Sequence, residues 1–125
     1  MSPRHYPLTL TSGLLLALFA PLAFASQTLK LETPSYSVKI EVLCAEGDVS
    51  CDQVRYSGRS KKSGKSITLK GKTAHTLCVD GVSPCRFLGY RFNNGKLSYF
   101  VSDEGLLQVT QGRKILVEET GQWQP

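Results

Sequence analysis

Two eight-residue cysteine units constrain this chain more than anything else in it. Cys44-Ala45-Glu46-Gly47-Asp48-Val49-Ser50-Cys51 returns, at an offset of 34, as Cys78-Val79-Asp80-Gly81-Val82-Ser83-Pro84-Cys85. Each unit holds an acidic residue followed by glycine at the same offset, and each is preceded by a leucine, Leu43 or Leu77. The chain has 4 cysteines in all, so the compartment decides their chemistry.

The N-terminus points to export. Arg4 and His5 precede an apolar run through Leu14, Leu15, Leu16, Leu18 and Phe19, and Ala23-Phe24-Ala25 closes it with small residues. This is the pattern of a signal peptide cleaved after Ala25. The run is short for a membrane span and no second one follows. Residues 26–125 are then a single domain in an oxidising space, with a periplasmic location expected and secretion beyond it as the variant. In that space an even cysteine count reads as disulfides. The repeat favours the local pairing, Cys44–Cys51 and Cys78–Cys85, over the crossed pairing of Cys44 with Cys85 and Cys51 with Cys78. A bridge closing so short a loop contributes about 2.5 kcal/mol in the chain-entropy view. Zinc on the four cysteines and His75 fits poorly, because structural zinc favours closer cysteine spacing. No metal or cofactor is expected.

Period-two alternation governs the rest. Tyr36, Val38, Ile40 and Val42 alternate with Ser37, Lys39 and Glu41, as in a half-buried strand. Leu29 and Leu31 suggest a first edge strand. Val54 and Tyr56 resume after the first cysteine unit, and residues 57–66 read as an exposed loop. Ile67 and Leu69 start a strand that breaks near Gly71. Phe87 to Phe92 leads out of the second unit, and Asn94-Gly95 predicts a tight hairpin into Leu97–Val101. Strands through Leu107 and Val109 and through Ile115 and Val117 complete the chain. No window after the leader has helical periodicity. The expectation is an all-β domain, a small antiparallel β-barrel or β-sandwich of seven to eight strands, stapled by two disulfides.

Charge is uneven along the chain. Fifteen Lys and Arg against ten Asp and Glu give +5. Arg55, Arg59, Lys61, Lys62, Lys65, Lys70 and Lys72 fall in one stretch that contains no acid. The segment from Gly58 to Ser66 imitates a phosphate-binding loop but has one residue too many between Gly58 and Gly64, and a strand follows where that motif needs a helix. Asp103-Glu104 and Glu118-Glu119 are sequence neighbours, which on a strand face opposite ways and form no catalytic pair. His75 reads as structural. No catalytic residue is assigned and the chain reads as a non-enzyme. Nucleic acid is the habitual partner of a basic patch, but export and the absence of closely spaced exposed aromatics argue against it. Recognition of a protein partner falls to Arg59, Lys61, Lys62 and Lys65, with Tyr56 beside them as anchor and Tyr90 as its repeat mate.

In architecture the chain resembles the small periplasmic inhibitors of lysozyme. It is equally similar to the periplasmic immunity proteins that neutralise peptidoglycan-cleaving effectors delivered by type VI secretion. The inhibitors carry a Ser-Gly-x-x-Tyr loop that enters the lysozyme cleft. Ser57-Gly58 and Ser63-Gly64 match its first two positions, without the tyrosine. The resemblance implies a periplasmic protein that inhibits a cell-wall hydrolase, its 57–66 loop covering the cleft. A basic inhibitor suits an acidic effector better than a basic lysozyme, which favours the immunity role. The reading from another class is a binding module for an anionic envelope polymer such as lipopolysaccharide or a phosphate-bearing glycan.

Overall fold

The computed structural model describes residues 3–4, 7, 12–18 and 26–125. The expected cleavage site at residues 23–25 lies outside the described residues. Leu14, Leu15, Leu16 and Leu18 belong to no helix or strand and are exposed. Among the described residues no helix is long and apolar enough to cross a membrane.

Residues 27–123 form one antiparallel sheet of nine strands: β1 (Gln27–Glu32), β2 (Tyr36–Val42), β3 (Val54–Ser60), β4 (Ser66–Leu77), β5 (Pro84–Asn94), β6 (Leu97–Ser102), β7 (Leu106–Gln111), β8 (Lys114–Thr120) and β9 (Gln122–Trp123). Each strand from β1 to β8 pairs with its sequence neighbour, and β9 pairs with β1. β8 and β9 are one run of chain interrupted at Gly121. Its first part bonds β7 and its second part bonds β1, Leu31 facing Trp123, so the sheet curls into a nearly closed barrel. Closure is reinforced by Gly121 N–H donating to Gly105 O at 2.9 Å and by the Trp123 indole donating to Asp103 O at 2.9 Å. Barrel and sandwich, left open by the alternation, are thereby decided, and the strand count rises to nine because the closing strand is split.

Alternation sends one face of every strand inward. Leu31, Val38, Ile40, Val54, Tyr56, Phe92, Val101 and Leu107 are essentially sealed from solvent. Tyr56 packs against Phe92 and Tyr99 at centroid distances of 5.3 and 5.4 Å. Tyr90 meets Phe87 edge-on at 5.2 Å. Such tilted aromatic pairs contribute beyond their buried area.

Both disulfides are local, Cys44–Cys51 and Cys78–Cys85, and are consistent with an oxidising compartment. Up-and-down connectivity puts both stapled loops at one end of the barrel, yet the two differ. Cys51 is buried, its N–H accepted by Thr73 Oγ1 at 2.9 Å while Thr73 N–H returns to Cys51 O at 2.8 Å. The second unit stands clear, with Leu77, Val79 and Val82 exposed and its turn held by Asp80 accepting from Val82 N–H and Ser83 N–H.

Three local expectations change. The strand expected to break near Gly71 runs unbroken through it, because Phe92 lies directly opposite and its ring covers the glycine. Ser57–Ser60 belong to β3, which shortens the expected 57–66 loop to residues 61–65. Asn94 ends β5 instead of turning, and Gly95-Lys96 makes the hairpin, with only Gly95 at positive φ (58°). Gly112-Arg113 repeats that two-residue turn between Gln111 and Lys114. Glycine in first place is the chemistry of a type II′ hairpin.

Candidate functional site

The barrel's outer face on β1–β5 is cationic, and the strand register makes it so. Lys30 lies opposite Lys39, Arg55 opposite Lys70, and Lys72 opposite Arg91. All six are exposed. Like charges directly opposite on a sheet are destabilising, by roughly 0.2–1 kcal/mol a pair. Two acids sit among them. Glu41 approaches Lys39 at 3.3 Å and Arg55 at 3.7 Å, and Glu32 pairs with Lys61 at 3.0 Å. Among the described residues Lys30, Arg59, Lys70 and Lys72 have no ion-pair partner. Arg91 lies over the Phe100 ring, 5.3 Å from its centroid.

The residues singled out in the sequence separate into distinct roles. Arg59 extends this face from β3, opposite Ser37 and Ser66. Lys62 is exposed at the loop tip, and Lys65 stands at the barrel mouth. Lys61 is tied down: besides its pair with Glu32, its ammonium donates to Thr33 O at 2.7 Å, and its backbone N–H donates to Ser35 O at 2.9 Å. It clamps the β3–β4 loop to the β1–β2 turn. Tyr56, expected as a surface anchor, is only 2% exposed. Tyr90 is interior as well, so neither ring is on the outer surface where a protein partner would dock. Burial raises the pKa of both phenols, keeping them neutral.

Around Lys61 a carboxylate completes the clamp. Glu119 accepts from Ser35 N–H and from Thr33 Oγ1, both at 2.9 Å. Hydrogen bonding from Ser35 holds the Glu119 carboxyl below the usual glutamate range, aided by Thr33 and the Lys61 charge and opposed by burial. Lys61, then Ser37, does the same for Glu32. A carboxylate with a depressed folded pKa stabilises above its unfolded value, about pH 4, and that contribution is lost as pH falls through the folded value. Melting temperature should therefore begin to fall below about pH 4, by a modest amount because both carboxylates are solvent-screened. Glu119→Gln should melt lower at pH 7 and show a flatter acid limb; parallel wild-type and variant curves would remove Glu119 from the account.

Next to this clamp the barrel interior opens as a cavity of about 290 Å³ at the 61–65 end. Tyr56 and Lys65 both line it, with Tyr36, Ile67, Tyr99 and Leu116 among its other walls. Sequence reasoning missed both the cavity and the cross-strand cation pairs. Parity places Lys39, Arg55, Lys70 and Lys72 on solvent faces, but which cation faces which depends on register.

The four cysteines are consumed in disulfides, and neither the face nor the mouth assembles a nucleophile with a base. What the exposed cations can do chemically is hold an anionic surface. Comparison with family models, curated proteins and solved structures finds no match for this chain.

Proposed function

We propose that the protein is a periplasmic inhibitor of a peptidoglycan-cleaving enzyme, in the manner of an immunity protein against a muramidase or amidase effector. Its cationic β1–β5 face and the tip of the 61–65 loop dock over the acid-lined cleft where such an enzyme keeps its catalytic carboxylates. The observation that carries this reading is the set of three like-charged cross-strand pairs. A sheet face built for stability alone opposes unlike charges across its strands, whereas one on which cations face cations and outnumber the acids is complementary to an acidic partner. The apolar run at residues 14–19 and the two disulfides support export.

The test is inhibition of peptidoglycan clearance by enzymes with acidic clefts, with the mature chain titrated in at low and high salt. Inhibition should be strong at low ionic strength and weaken with added salt while persisting, since screening removes steering before short-range contacts. Absence of inhibition across muramidases and amidases would reject the reading. An anionic envelope polymer is the second reading, favoured by the spread of cations over five strands instead of one protruding loop. Its binding would collapse with salt altogether.

A further inference from the structure

The cavity at the 61–65 end has an amphiphilic lining. On the β3–β4 side it offers Ser60, Lys65 and the ring and hydroxyl of Tyr56; on the β6–β8 side Leu97, Leu107, Val109, Leu116 and Val117, with the ring of Tyr99, make a mostly apolar wall. The Tyr56 hydroxyl lies beside Gly58, in space that a Cβ there would occupy. Although Tyr56 is 2% exposed, its hydroxyl has no hydrogen-bond partner among the described residues and is not sealed off, the sealed polar side-chain atom without a partner among them being His75 Nδ1. The Lys65 ammonium is likewise in no ion pair among them. At the rim Ile67 and Leu116 are 37% and 43% exposed, apolar surface that a seated ligand would cover.

We propose that this mouth is a binding site for a small amphiphilic anion, a medium-length alkyl or acyl chain ending in a carboxylate. The head accepts from the Tyr56 hydroxyl and the Lys65 ammonium, and the tail lies along the β6–β8 wall. Size sets the chain length. At roughly 30 Å³ per methylene-sized group, comparable to a water's share of liquid volume, 290 Å³ holds about eight to ten carbons. Pockets near this volume are at the small end of those that bury an organic ligand. The site adjoins the 61–65 loop proposed to dock on the enzyme but uses none of the cross-strand cation pairs of the β1–β5 face.

The experiment is titration of the mature protein with hexanoate, octanoate, decanoate and dodecanoate below their micellar concentrations, followed by calorimetry and amide chemical shifts. Burial of about 0.8 kcal/mol per methylene predicts roughly fourfold tighter Kd for each added carbon, levelling off near ten carbons. Shifts should centre on the cavity mouth, at Gly58, Ser60, Lys65, Ile67 and Leu116, and leave Lys30, Lys72 and Arg91 unmoved. Tyr56→Phe, which keeps the ring and the core, and Lys65→Met should each weaken decanoate about three- to tenfold and leave decanol unchanged. Lys70→Glu/Lys72→Glu should leave decanoate affinity intact, so this site and the inhibitory face can fail independently. A Kd that does not depend on chain length, or a decanoate affinity indifferent to both mouth variants, overturns the proposal.

Discussion

Gly71→Ala is expected to cost about 3 kcal/mol or more and to lower the melting temperature by roughly 12–24 °C. The reason is local and steric. A Cβ at residue 71 would run into the Arg91 carbonyl oxygen across the β4–β5 ladder and into the Phe92 ring that covers the glycine. Both neighbours are fixed, one by backbone pairing and the other by complete burial in the core, so neither can give way cheaply. Overpacking of this kind is a large fraction of the ~5–15 kcal/mol available to a small domain. Gly112→Ala is the control. Gly112 has positive φ (58°) but nothing within reach of a new Cβ, so it should lose only the backbone cost of a side chain at that φ, about 1–2 kcal/mol. Denaturant melts of the two variants separate the cases, and equal losses would remove the steric account of the β4–β5 crossing.

Removing the Cys44–Cys51 bridge is expected to destabilise by about 3.5–4.5 kcal/mol, and removing Cys78–Cys85 by at most about 2.5 kcal/mol. The bridges close loops of equal length, with a sequence separation of 7 in each, so loop entropy alone predicts the same loss. Burial breaks the tie. Cys51 is 5% exposed and its side chain belongs to the core, so its replacement also leaves a cavity. Cys85 is exposed at the tip of a projecting hairpin. Paired Cys→Ala variants measured by chemical denaturation check the order. Mild reductant should also open the exposed Cys78–Cys85 bridge first. The reverse order would mean that the second unit packs against more of the barrel than its exposure shows.

How much was legible in the sequence depended on the range of each interaction. Local alternation was enough to place Val38, Ile40 and Val54 inside and Lys39 and Arg55 outside, because the two-residue period is a property of single strands. The cysteine repeat pointed to the pairing the fold adopts. Cross-strand effects were hidden. Gly71 looked like a strand break because the Phe92 ring that covers it belongs to another strand. Tyr56 looked like a loop-side anchor because the loop was drawn too long, whereas β3 continues to Ser60 and carries the ring into the core. Lys61 looked like one more free cation of a basic run, until the β1–β2 turn brought Glu32, Thr33 and Ser35 against it. The candidate face was half visible: its cations could be counted, but the Lys30/Lys39, Arg55/Lys70 and Lys72/Arg91 pairs exist only once register is known.

That face is the centre of the account, and reversing one charge in each of its three pairs tests it most directly. In Lys30→Glu/Lys70→Glu/Lys72→Glu, attraction replaces three repulsions, and the barrel should gain about 1–3 kcal/mol in all. The same protein should no longer inhibit the hydrolase that the wild type blocks. A rise in melting temperature together with loss of inhibition is the predicted result; a variant that still inhibits, with stability unchanged or lowered, would contradict it.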